Sequence, residues 1–336
     1  MPDLLQGDEA IPVPGGVPPA PPDTIWIPGG TFRMGSDSHY PEEAPVHRVA
    51  VDGFWMDAKP VSNREFAAFV AATGHVTNAE IPPDPRDYPG AKPGMLFAGS
   101  LVFRKTRGPV DLSQWGLWWE FRRGAWWREP YGPGSSIGGL ADHPVVHVAY
   151  ADALSYARWA GKDLPTEAEW EFAARGSLDG AAFAWGDAMR PGGRIMANTW
   201  QGAFPYKNTR EDGWEATSPV GAFPPNGYGL SDMIGNVWEW TQDFWAPRHA
   251  GDAPKTCCIP RNPWHADDAE SFDPAQPEIR IPRRVLKGGS FLCAPNHCRR
   301  YRPAARHAEA VDTSTCHIGF RCVVRTATPT ASGHAA

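Results

Sequence analysis

Two thiols carry the first chemical signal. In Gly288-Gly289-Ser290-Phe291-Leu292-Cys293-Ala294-Pro295-Asn296-His297-Cys298 the cysteines stand five positions apart on a segment kinked by glycine and proline. A bend there can turn both sulfurs to one point. Arg299, Arg300, Arg302 and Arg306 follow, and nearby cations favour the thiolate, the form that attacks or ligates. Thiolates are soft ligands that select Cu(I) or Zn(II). Zinc asks for four ligands; His297 offers one more, but no second Cys-x-x-Cys pair is evident. On spacing alone, a soft-metal site, a structural disulfide and two buried thiols all stay open.

A second signal is rich in oxygen. Asn198-Thr199-Trp200-Gln201-Gly202, Asp212-Gly213-Trp214 and Asn226 to Trp240 set Asp, Asn and Glu into glycine-rich turns. Hard cations such as Ca²⁺ are held by such oxygen sets, but ordinary Asx turns have the same composition and are favoured on spacing alone. His143-Pro144-Val145-Val146-His147 holds two histidines four apart. Pro144 and the β-branched run predict a strand with structural histidines rather than a metal-binding helix face. The other cysteines are Cys257, Cys258, Cys316 and Cys322. A bond between neighbours is strained, so Cys257 and Cys258 read as free thiols. Cys316 and Cys322 are candidates to pair with each other.

The elements that must position these groups are short. Ile25-Trp26-Ile27 before Pro28-Gly29-Gly30 reads as a strand into a turn, and Val46 to Val51 as another. Ser62 and Glu65 form a capping box, and the apolar spacing behind them predicts a helix from Asn63 to Thr73, closed by Gly74. A second helix is expected from Ala151 to Ala160. A third follows the capping box of Thr166 and Glu169 and ends at Arg175-Gly176. Residues 76–142, with Trp115, Trp118, Trp119, Trp126 and Trp127, predict a long irregular loop layer pinned by buried indoles. From Gly180 onward the pattern is short strands and turns.

Composition fits such a chain. Of 336 residues, 35 are Gly, 36 Pro and 16 Trp; this much Gly and Pro excludes a helical bundle or coiled coil. With 42% hydrophobic and 12% aromatic residues, a core can form. No apolar run is long enough to span a membrane. A net charge of −6 argues against nucleic acid or an anionic membrane as main partner. The first residues show no secretory pattern, so a cytoplasmic protein with reduced thiols is expected. A Pro-rich lead-in (1–23), one domain (24–325) and a flexible tail (326–336) complete the expected organisation.

The motifs Trp26-Ile27-Pro28-Gly29-Gly30-Thr31-Phe32-Arg33-Met34-Gly35, Leu164-Pro165-Thr166-Glu167-Ala168-Glu169-Trp170-Glu171, Gly235-Asn236-Val237-Trp238-Glu239-Trp240 and Gly319-Phe320-Arg321-Cys322 closely resemble the formylglycine-generating enzyme (sulfatase-modifying factor) family over about nine tenths of the chain. Most of them mark the fold; the discriminating feature is Gly-Gly-Ser-x-x-Cys-x-x-x-x-Cys, matched by Ser290, Cys293 and Cys298. The resemblance implies a single α+β domain, C-type-lectin-like and poor in regular structure. It implies oxidation of the cysteine in a Cys-x-Pro-x-Arg motif of an unfolded or nascent sulfatase to Cα-formylglycine, with O₂ and an external reductant, by a monomer. Cys293 and Cys298 would hold Cu(I), with O₂ activated there. Ser290 and Trp238 would stand beside the copper site, and Arg306, His297 and His317 would line the substrate pocket. His297 replaces a common Tyr and His317 an expected Asn. Two structural Ca²⁺ sites would map onto Asn198, Thr199, Asp212 and Trp214, and onto Asp232, Gly235, Val237 and Glu239, with Thr199, Trp214, Gly235 and Val237 acting through carbonyls. Ala157, Ala174 and Pro303 occupy disulfide positions of secreted relatives, and Cys322 lacks its usual partner. Relatives on this fold include a non-catalytic lectin-like binding module and a non-haem iron sulfoxide synthase. The first would leave the cysteine pair idle; the second usually has an additional N-terminal helical domain.

Overall fold

The computed structural model describes residues 19–249 and 259–326. Cys257 and Cys258, most of the Pro-rich lead-in and nearly all of the tail lie outside the described residues. The strands are β1 (Thr24–Ile27), β2 (Gly30–Met34), β3 (His47–Val51), β4 (Phe54–Asp57), β5 (Gly99–Phe103), β6 (Trp119–Arg123), β7 (Trp238–Phe244), β8 (Arg283–Lys287), β9 (Arg306–Ala310), β10 (Ile318–Gly319) and β11 (Val323–Arg325). The helices are α1 (Asn63–Thr73), α2 (Tyr150–Trp159) and α3 (Glu167–Arg175). Helices and mixed sheets make an α+β fold with long irregular connections.

Four small sheets organise the chain. β4 lies between β1 and β11, antiparallel to both, so the two ends of the described fold meet in one sheet. A second sheet has the order β10-β7-β8-β9, with β10 parallel to β7 and the other pairs antiparallel. β2 pairs with β3 and β5 with β6, both antiparallel.

The helices begin where the capping residues place them. Ser62 accepts from the Glu65 N–H while the Glu65 carboxylate accepts from the Ser62 N–H at 2.7 Å. Thr166 and Glu169 make the same reciprocal pair at α3. α1 and α3 end at Gly74 and Gly176, both left-handed, a conformation glycine adopts without a Cβ penalty. Every residue of α3 is buried. Trp170, Ala173 and Phe172 pack with β2, β3 and β4 residues such as Phe32, Val49 and Met56. A larger cluster joins Phe66 and Phe69 of α1, Tyr156 of α2, Trp240 of β7 and Phe320.

Three expectations need correction. The 76–142 region is not only loop: β5 and β6 form a hairpin in it, because Leu101, Val102, Phe103 and Phe121 suit a pleated surface. Its indoles divide, too. Trp118 and Trp127 are buried, Trp119 and Trp126 half-buried, and Trp115 is 64% exposed on a short 3₁₀ turn. His143 to His147 form no strand: Pro144 makes an isolated bridge to Ser62 and His147 has φ 61°, so the segment bends instead of extending. His143 Nδ1 meets Thr217 Oγ1 at 3.0 Å and His147 Nδ1 meets Ser100 Oγ at 2.7 Å, while His147 Nε2 is buried with no partner. Cys316 and Cys322 do not pair. Both are free and buried, in different clusters, with Cys316 beside Trp118 and Phe204 and Cys322 beside Phe320.

Candidate functional site

The loop after β8 builds the thiol pair. Gly288 and Gly289 have φ of 92° and 72°. A Cβ on Gly289 would stand 2.9 Å from the Arg300 carbonyl oxygen and 3.0 Å from the Tyr301 nitrogen, so only glycine lets this turn run against the returning chain. Cys293 N–H then donates to the Ser290 carbonyl at 2.9 Å, and Cys298 N–H to the Ala294 carbonyl at 3.0 Å. These two local closures bring Cys293 Sγ to 3.0 Å from Cys298 Sγ, both cysteines being free thiols. Ser290 is fully buried under them. Its N–H faces Cys293 Sγ at 3.4 Å and its hydroxyl accepts from the Leu292 N–H at 3.2 Å.

The two thiols are unequal. Burial pushes the Cys293 thiol up. The hydrogen bond from Cys293, then the N–H groups and charge of Arg300, bring Cys298 below the usual thiol value. Cys293 is buried and Cys298 partly exposed, so the more acidic sulfur is also the more accessible one. Of the four arginines expected to favour thiolate, Arg300 acts on this sulfur. Arg302 and Arg306 are taken by buried carboxylates instead: Arg302 by Glu43 at 2.7 Å, Arg306 by Glu167 at 2.8 Å. Arg306 also donates to the Ala246 carbonyl at 3.0 Å and lies over the Trp245 ring.

Aromatic groups surround the loop. The exposed His297 stacks on Phe204 with ring centroids 4.5 Å apart and meets the edge of Trp118 at 5.5 Å. Trp238 opens β7, is buried, and donates its N–H to the His317 carbonyl at 2.8 Å. His307 stacks on Trp238 at 5.6 Å. Burial, followed by His307 and His147, lowers the His317 pKa to about 3. His307 and His317 thus both adjoin Trp238. The cavity of about 190 Å³ between Phe103, Trp127, Ile137, Val146, Phe291 and Cys316 includes neither Cys293 nor Cys298.

Of the oxygen-rich residues, Asn198 and the Gly235-Asn236 turn come together. Asn236 N–H donates to the Asn198 carbonyl at 2.8 Å, and a Cβ on Gly235 would stand 2.4 Å from that same oxygen. Thr199 and Val237 flank this contact in sequence. Asp212 accepts from the Trp214 N–H through Oδ1, while its Oδ2 is buried with no partner. Asp232 accepts from the Gly221 N–H at 2.6 Å through Oδ2, while its Oδ1 is buried with no partner. Burial raises the Asp232 pKa to about 6. An open buried carboxylate oxygen in each set suits a hard cation. Glu239 is differently placed: its carboxylate accepts from Arg321 at 2.7 and 2.8 Å and from Trp170 Nε1 at 2.8 Å.

Residues far away in sequence complete the loop. Tyr40, Glu42 and Glu43 contact Arg299, Arg300 and Arg302 across more than 250 positions. Their only sequence signal is the acidic pair in Pro41-Glu42-Glu43-Ala44-Pro45.

The sulfatase-modifying factor enzyme 1-like domain matches residues 13–326. This chain belongs to the sulfatase-modifying factor family. A relative from Mycobacterium tuberculosis, named formylglycine-generating enzyme, is 56% identical over 302 residues, covering 90% of this chain and 97% of the relative. A relative of the same name from Thermomonospora curvata is 47% identical, covering 89% and 92%. Among solved structures of this family's fold, PvdO from Pseudomonas aeruginosa superposes with a TM-score of 0.60 at 25% identity, covering 94% of this chain and 99% of that one. Cys293 and Cys298 stand in this member as a close pair of free thiols.

Proposed function

We propose that this sulfatase-modifying factor family member converts the cysteine of a sulfatase Cys-x-Pro-x-Arg motif into Cα-formylglycine, with O₂ as oxidant. The 3.0 Å pair of free thiols, Cys293 and Cys298, carries this reading, and relatives named formylglycine-generating enzyme at 56% and 47% identity support it. In balance, the substrate CH₂–SH, one O₂ and two hydrogens from an external thiol reductant give the aldehyde, H₂S and water.

Cys293 and Cys298 would hold Cu(I): the donors are two soft sulfurs at one point, the type that ion accepts. Bound there, copper would supply the one-electron chemistry with O₂ that side chains lack. The protein's residues do the rest. Ser290 and the backbone closures fix the Cys293 sulfur. Cys298 presents the accessible, more acidic sulfur. Trp238 carries the His307 ring on its face and meets the His317 backbone, so these three groups would stand together on one side of the loop. His297 on Phe204 offers an exposed edge for the substrate chain. Arg306 acts from below by holding Glu167. Asp212 and Asp232 would complete two structural Ca²⁺ sites through their open oxygens, with Asn198 and the carbonyls of Thr199, Trp214, Gly235 and Val237 beside them; Glu239 would contribute without leaving Arg321.

The reading includes a monomer working in a reducing compartment, the cytoplasm, on nascent sulfatase. Four free thiols among the described residues suit such a compartment, and no helix of the described residues is long and apolar enough to cross a membrane. The test mixes copper-loaded protein, a Cys-x-Pro-x-Arg peptide and reductant, and follows the aldehyde by mass spectrometry. Wild type forms it; Cys298→Ala does not. Intact Cu(I) binding without product sinks the reading.

A further inference from the structure

The thiol loop is gripped by a segment more than 250 residues away. Tyr40 OH accepts from the Arg299 N–H at 3.0 Å. The Tyr40 ring lies 4.0 Å beneath the Arg300 guanidinium, and Arg300 Nη2 donates to Glu42 Oε1 at 2.6 Å. Next to them, fully buried Glu43 pairs with Arg302, whose Nε returns a hydrogen bond to the Arg299 carbonyl at 2.9 Å. Arg300 Nε is buried and has no hydrogen-bond partner in the protein, and Arg300 follows Cys298 by two positions on the same loop. An arginine with one N–H edge held by a carboxylate and its face on an aromatic ring has a fixed orientation.

We propose that Tyr40 and Glu42 are positioning residues: they hold Arg299 and Arg300, and with them the chain that carries Cys298, and so fix the spacing at which the two thiols receive a soft monovalent metal. Geometry supports this over a purely stabilising role. The Glu42–Arg300 pair, with side chains 18% and 23% accessible, is the less buried of the two ion pairs in the clamp. Glu43–Arg302 is buried and is the structural member of the clamp. Glu42 therefore orients the sulfur side while Glu43 anchors the loop.

The inference rests on the copper reading only in its metal arm, so two readouts are needed. The first is amide hydrogen exchange of residues 298–300 in the full chain without metal. The second is Cu(I) affinity of the same chain under anaerobic conditions, by competition with a chromophoric chelator. Glu42→Gln is expected to speed exchange at Arg299 about tenfold and weaken Cu(I) binding about tenfold, with the melting temperature unchanged. Tyr40→Phe should do the same at Arg299, and Glu42→Asp should restore part of the affinity. In an Arg300→Gln background, Glu42→Gln should add nothing. Unchanged exchange and affinity in Glu42→Gln overturn the proposal, as does a loss that only tracks a falling melting temperature. Wild-type protein that binds no Cu(I) overturns the copper reading and the metal arm of the clamp, and the loop-holding arm then stands or falls on exchange alone.

Discussion

Cys298 and Cys293 differ in acidity because they differ in burial and neighbours, although the motif presents them as equals. The accessible sulfur is also the more acidic one, so thiol reagents should modify Cys298 first; peptide mapping after brief alkylation checks this, and equal labelling contradicts it. His147 makes a second residue-level prediction. Burial drops its pKa to about 3, so the folded protein keeps it neutral while the unfolded chain protonates it below about 6.5. Stability from this residue is complete above the unfolded value and is lost as pH falls from there toward 3. Asn suits its left-handed backbone. His147→Asn should therefore reduce the slope of unfolding free energy between pH 6.5 and 4 by up to about 1.4 kcal/mol per pH unit, measured by urea melts. The residue signals were legible for Cys293, Cys298 and Ser290, whose spacing is local. They were not for Tyr40 and Glu42, because nothing in a Pro-Glu-Glu-Ala-Pro stretch says which arginines it will meet.

At the scale of elements, caps and turns follow local rules. α1 and α3 start at the residues their capping boxes select, and Thr166→Ala should cost about 1 kcal/mol, read from chemical denaturation. The turn before the thiol loop is stricter. Gly289→Ala puts a Cβ within 3 Å of the Arg300 carbonyl at a left-handed φ, so it should displace the loop and abolish Cu(I) affinity before it unfolds the chain. Where elements depend on distant partners, sequence reading fell short. The β5–β6 hairpin was hidden among prolines and indoles, and its inner face is defined by Ser100 meeting His147 and Ser314 far along the chain. The apolar run at Val145-Val146 looked like a strand because alternation cannot report the bend at His147.

Buried ion pairs join two of the sheets to each other and to α3. Arg321, fully buried, ties Glu239 of β7 to the Asp57 and Ser231 carbonyls. Lys287 of β8 binds Glu171 of α3 at 3.0 Å, and Glu171 binds Arg175 at 2.6 Å. Removing one partner leaves a buried charge uncompensated. Arg321→Met should destabilise by about 3–5 kcal/mol, seen as a lower denaturant midpoint. Calcium is expected to raise the melting temperature of wild type and to raise it less in Asp232→Ala, which removes both side-chain oxygens, the open one included; an equal rise in both counts against Asp232 as a ligand.

Sequence alone determined the helices, their caps, the family and the thiol motif, because each depends on residues a few positions apart. Tertiary structure alone decided which thiol is accessible, which arginine serves it, and which carboxylates stay open. Those properties arise from burial and from charges brought together across as many as 259 positions, and no local pattern encodes them.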